Sequence, residues 1–143
     1  MTGFCFAVRA LALIALVTGC VDVVVGLKGQ HLIGAALEEG YGDPVLNSQI
    51  RYLGAIWFGF GALLWVCSSN LEKYSGILNA ALWIVVLGGV GRLLSLIQFG
   101  LPTSAEGAAF VLGAMAIELI VVPAMLYRQG RLTAESRRGF PRL

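Results

Sequence analysis

The chain has 143 residues, 58% of them hydrophobic and only 13% charged, with a formal net charge of +2. A soluble domain of this size carries about 25% charged residues to cover its surface, so this balance is that of a membrane protein; the mean hydropathy of +0.84 agrees. Nucleic acid is excluded as a partner, because the basic residues form a tail beside an apolar stretch, without a folded basic face or an aromatic platform.

The first apolar run covers residues 4–27, long enough to cross a hydrocarbon core of about 30 Å. Arg9, the apolar Ala10–Val17 and then Gly19-Cys20 also resemble a lipoprotein signal cut before Cys20. The run continues past Cys20 through Val21, Val23, Val24 and Val25, and this favours a retained helix over a cleaved leader. A polar loop with the only histidine, His31, follows; Leu32–Leu37 within it is expected as a short helix on the membrane surface. Asp43-Pro44 is a helix-start signal, Asp as N-cap and Pro in the first turn, so the helix of the second span (46–69) should begin near Pro44. The third span covers 76–100, the breaker loop Leu101–Glu106 follows, and the fourth span covers 107–127. From Arg128 to Leu143 a basic segment with no fold of its own is expected to lie along the membrane surface, drawn to anionic lipid. The expected fold is all-α, an integral membrane bundle of four transmembrane helices.

Orientation follows from arginine and lysine in the short flanking segments. Both termini lie on one side, with Arg9, Lys73 and the tail arginines Arg128, Arg131, Arg137, Arg138 and Arg142. The other side offers only Lys28 and Arg51, beside the acidic Glu38, Glu39, Asp43 and Glu106. The termini are therefore expected in the cytoplasm, with Tyr74 and Tyr127 at the inner interface and Tyr52 near the outer one.

Arg92 stands alone in an apolar run, where a charge costs about 2.5–3.5 kcal/mol on insertion scales and should face a partner. At about 1.5 Å rise per residue it lies roughly 12 Å in from Gly100, and Glu118 lies roughly 16 Å in from Gly107. The two helices are antiparallel neighbours, so Arg92 and Glu118 are expected to meet. Asp22 and Arg51 fall in the same outer half, placing one charge from each helix in a single expected polar cluster that Asn47 and Ser95 complete. That cluster reads as a structural network, as a polar pocket open to the outer side, or as charges that snorkel to the interface. Small residues four apart, Gly91 and Ser95, Ala55 and Gly59, Ala109 and Gly113, are expected at helix contacts. Pro123 is expected to bend the last helix inward.

Asn47-Ser48-Gln49-Ile50-Arg51-Tyr52-Leu53-Gly54 with Trp57 and Gly59-Phe60-Gly61, then Gly88–Leu96 with Gly100-Leu101-Pro102, then Glu118-Leu119 with Pro123, make up a pattern of polar, glycine and proline positions. Over about Asn47–Pro123 it resembles the second-helix, third-helix and fourth-helix signatures of a bacterial family catalogued as domain of unknown function 4345. The resemblance implies small four-helix inner-membrane proteins and marks Arg51, Arg92 and Glu118 as pattern positions. It implies no reaction.

Catalytic chemistry draws little support. His31 has no carboxylates at ligand spacing, Gly88–Gly91 is embedded in an apolar helix, and Ser95 lacks a nearby base, so neither a metal nor another cofactor is expected. The cysteines Cys5, Cys20 and Cys67 sit at opposite ends of spans and suggest no disulfide framework. The leading expectation is an accessory or assembly protein, its partners the lipid bilayer and either another membrane protein or its own copies. The alternatives are an oligomeric binding or transport protein for a small anion, lipid headgroup or quinone-like molecule, using Arg51 and Arg92, and a membrane-embedded enzyme with Glu118 as acid or base.

Overall fold

A computed structural model of the chain describes residues 2–34 and 42–138, with side chains for 3–34 and 42–131. It is all-α. Helix α1 (Thr2–Val25) breaks at Gly26, whose φ of +67° only glycine adopts freely, and continues as a 3-10 helix, Gly26–Ile33. Helix α2 (Pro44–Ser69) starts as expected: the Asp43 carboxylate accepts from the Leu46 amide at 2.8 Å, with Pro44 in the first turn. Helix α3 (Ser75–Phe99) ends at Gly100, φ +78°. The last rod comprises α4 (Ala105–Ala116), a π-helical turn (Ile117–Val121) and α5 (Val122–Arg138). Ser104 caps α4, accepting from the Gly107 amide at 3.2 Å. The segments Gly3–Ile33, Pro44–Ser69, Ser75–Phe99 and Ala105–Arg131 are long and apolar enough to cross a membrane. The protein is a multi-pass membrane protein.

Two expectations about the extent of elements are corrected. The short surface helix at Leu32–Leu37 does not start where expected: Leu32 and Ile33 close the 3-10 helix and Gly34 turns left-handed at φ +78°, while 35–37 lie outside the described residues. The segment from Arg128 is not without fold, because α5 runs on to Arg138. Gln129, Arg131, Leu132, Ala134 and Glu135 are strong helix formers and no proline interrupts them, so together they carry the helix past Gly130. Residues 139–143, with Arg142, lie outside the described residues.

Buried apolar side chains gather at the end holding the start of α1, the end of α2, the start of α3 and α5. Phe4, Val8, Leu11 and Ala12 meet Leu64, Cys67, Leu78, Leu82, Val85, Val122 and Met125 there. Gln129, also buried, ties α5 to this end by donating to the Ser75 carbonyl at 2.6 Å. Towards the other end α1 and α2 stay in contact through glycine. A Cβ on Gly19 would sit 2.6 Å from the Phe58 nitrogen, one on Gly54 2.5 Å from the Asp22 Cβ, and one on Gly61 2.8 Å from the Leu16 nitrogen. Neither backbone can retreat, so only hydrogen fits.

The small-residue pairs expected at contacts are not the ones used. A Cβ on Gly59, Gly91 or Gly113 would meet nothing within 4 Å, and Ala55, Ser95 and Ala109 are exposed. The same spacing occurs on packed and outward faces, and here the packing falls on Gly19, Gly54, Gly61 and, between α3 and the last rod, Gly89.

Candidate functional site

The expected pairing of Arg92 with Glu118 is present. Arg92 Nε donates to both carboxylate oxygens of Glu118 at 3.1 Å. Gly89 makes the approach possible: a Cβ there would lie 2.8 Å from the Glu118 Cβ and 2.7 Å from the Leu119 side chain. Glu118 itself sits in the π-helical turn just before Pro123. Proline has no N–H to return to the Leu119 carbonyl, and the chain relieves this by shifting to i→i+5 bonding, with the Val122 amide reaching the Ile117 carbonyl. The missing N–H of Pro123 is thus met by a π turn, and this turn holds Glu118.

Arg92 is held further by Phe110 of α4, whose ring centre lies 5.4 Å from the guanidinium carbon. The pair is unevenly covered, with 12% of the Glu118 side chain exposed against 39% for Arg92. The exposed part of Arg92 opens on a cleft of about 310 Å³, which it lines with Ser95, Phe99, Leu101, Pro102 and Val111. Nε is the nitrogen that Glu118 engages, and among the described residues neither Nη donates a hydrogen bond, which leaves four N–H donors on a side chain that lines the cleft.

Asp22, Arg51 and Asn47 belong elsewhere. Arg51 donates through Nη1 to the Val23 carbonyl and, at 3.3 Å, to the Val24 carbonyl, and through Nε to Asn47 Oδ1 at 3.1 Å. It thereby caps the last turn of α1, whose carbonyls the break at Gly26 leaves open. Asn47 Oδ1 also accepts from the Leu27 amide at 3.5 Å. Asp22 accepts from Gln30 of the 3-10 helix at 2.9 Å, not from an arginine. The single four-charge cluster is therefore corrected to two groups. One is an ion pair between α3 and the last rod, beside the cleft. The other is a latch closing α1, the 3-10 helix and α2. Hydrogen bonding to backbone carbonyls drew Arg51 away from Asp22, since a helix end supplies several acceptors at once.

A model of the family described as Domain of unknown function (DUF4345) matches residues 4–129. The chain belongs to that family. The match reaches well beyond Asn47–Pro123, taking in α1 with Asp22 and the start of the basic segment of this DUF4345 protein. No curated protein and no solved structure matches it.

Sequence reasoning missed several parts of the DUF4345 site. Phe110 and Val111 carried no signal beyond hydrophobicity. Gln30, eight residues from Asp22 in a stretch read as loop, carried no signal, because its contact depends on the 3-10 helix. Ser104 donates to the Gly34 carbonyl at 3.0 Å while capping α4, and so ties the first loop to the last rod. Its position before Ala105-Glu106-Gly107 was a legible N-cap signal, though its long-range partner was not. Cys5, Cys20 and Cys67 are free thiols.

Proposed function

We propose that the protein binds a small anionic or lipid-like molecule in the cleft beside Arg92, as a multi-pass protein of the bacterial inner membrane with both termini in the cytoplasm. The observation that carries this reading is the half-used guanidinium of Arg92. A guanidinium within an apolar span is costly unless its donors meet acceptors, and Glu118 engages one nitrogen only. The side chain that carries the remaining donors lines a cleft whose other side chains, apart from Ser95, are apolar. An oxygen-rich anionic group suits that combination. Arg51 is spent on the end of α1, so it supplies no second cation to the cleft.

The orientation rests on the basic residues flanking the spans. Arg9 reaches the Ser68 hydroxyl at 3.2 Å and lies over Trp65, at the same end of the bundle as Lys73 and Arg131. A reporter enzyme active only in the periplasm, fused after Leu143, should be silent; activity would reverse the orientation.

A second reading, an accessory or assembly role, is favoured by a separate observation. Gly88 and Gly91 leave open space on α3 beside exposed Ser95, and such a face accepts another helix closely. The enzyme reading has less support, because both oxygens of Glu118 accept from Arg92. Native mass spectrometry after mild-detergent extraction separates these readings. A co-purifying small molecule that is lost in Arg92→Lys supports the ligand reading. A stoichiometric protein partner without any small molecule supports the assembly reading instead.

A further inference from the structure

We infer that the occupant of the Arg92 cleft is the anionic phosphodiester headgroup of a membrane lipid, entering sideways from the leaflet on the side of the 100–104 loop. The inference rests on the ligand reading above and narrows it to one chemical class.

Charge selects the head. Arg92 and Glu118 neutralise each other, so the cleft offers hydrogen-bond donors on a cation that is already paired. With no net positive charge on the pair, an entering anion is held by hydrogen bonds, and each added negative charge is left uncompensated, so such a site suits a monoanion better than a phosphomonoester dianion. The polar side chains among the lining residues are Arg92 and Ser95, and no carboxylate joins them to receive an ammonium group. A phosphodiester carrying glycerol or another uncharged alcohol therefore fits better than a zwitterionic headgroup. Two phosphate oxygens match the paired N–H donors of the guanidinium, and the Ser95 hydroxyl can donate to a third oxygen or to the alcohol.

Position selects the lipid over a soluble anion. Arg92 lies within α3 roughly 10 Å along the axis from its Phe99 end at the helical rise, and the cleft lined by Ser95, Phe99, Leu101 and Pro102 connects it to that end, where the headgroup region of a leaflet begins. The cleft is open, and its lining includes Phe99, 83% exposed, and Leu101, 48% exposed. Large apolar side chains left uncovered beside a polar floor are the surface that acyl chains cover.

The test uses the full chain in mild detergent, with the bound fraction read by native mass spectrometry after delipidation. The added probes are phosphatidylglycerol, phosphatidylcholine and glycerol phosphate. Phosphatidylglycerol should bind, and Arg92→Lys, which keeps a cation for Glu118 but loses the fork, should weaken it about tenfold. Ser95→Leu leaves the ion pair intact and fills the cleft, and it should weaken binding similarly. Thermostability of each variant checks that the fold survives. Equal binding of phosphatidylcholine, or binding of phosphatidylglycerol unchanged in both variants, overturns the headgroup assignment. Arg92-dependent binding of glycerol phosphate alone overturns the lipid inference while sparing the ligand reading. No Arg92-dependent binding of any probe overturns both.

Discussion

The Arg92–Glu118 pair invites a charge swap. Arg92→Ala leaves a carboxylate with 12% exposure in an apolar span without its cation, facing Gly89 of α3 at closest approach. Removing one partner of a buried pair costs about 3–5 kcal/mol, and the exposure of Arg92 places this pair at the low end, about 3 kcal/mol. For a chain of this size that corresponds to a fall of about 10 °C in apparent Tm. Glu118→Gln should cost less, since the amide oxygen still accepts from Arg92 Nε and no charge is stranded on the π turn. The decisive set is Arg92→Glu, Glu118→Arg and the double variant, each followed by thermal unfolding in one detergent. The swap keeps both charges and reverses the fork, so it should recover at least about 1 kcal/mol of coupling relative to the sum of the singles. A double variant as unstable as that sum would show that the two side chains do not stabilise one another, and the account of the site built on them would fall.

Other perturbations test the remaining structure. Gly54→Ala should destabilise by about 1–3 kcal/mol, because its methyl would strike the Asp22 Cβ at 2.5 Å, while Gly59→Ala, with nothing within 4 Å, should stay within about 0.5 kcal/mol; parallel thermal melts compare them. Pro123→Ala restores the N–H that the Leu119 carbonyl lacks, and a relaxation from π to α would turn Glu118 by about 100° against α5. The coupling between Arg92 and Glu118 should then shrink in a double-mutant cycle, and undiminished coupling would detach the π turn from the proline. Arg51→Met removes the cap on the Val23 and Val24 carbonyls, so limited proteolysis between Gly26 and Asp43 should speed up several-fold with the rest of the bundle still resistant.

The sequence by itself determined the membrane class, the number of spans and most of their ends, because those depend on local chemistry. An apolar run of sufficient length must be helical in lipid to satisfy its own backbone, and Asp43-Pro44 caps α2 by a contact three residues away. The Arg92–Glu118 pair was legible for a similar reason. Two lone opposite charges at matching depth, on helices joined by a short loop, have few other places to go. Only the tertiary structure decided which faces pack. In a span that is apolar all round, hydropathy does not separate the inward side from the lipid side, so Gly54 and Gly59 look alike in sequence while one touches α1 and the other meets open space. The partner of Arg51 was hidden for a different reason. Its acceptors are backbone carbonyls freed by the break at Gly26, and main-chain groups are written at every position of a sequence alike. The continuation of α5 to Arg138 was not legible in the charge of the tail: its helix formers, without a proline, outweigh Gly130 once the span has nucleated the helix.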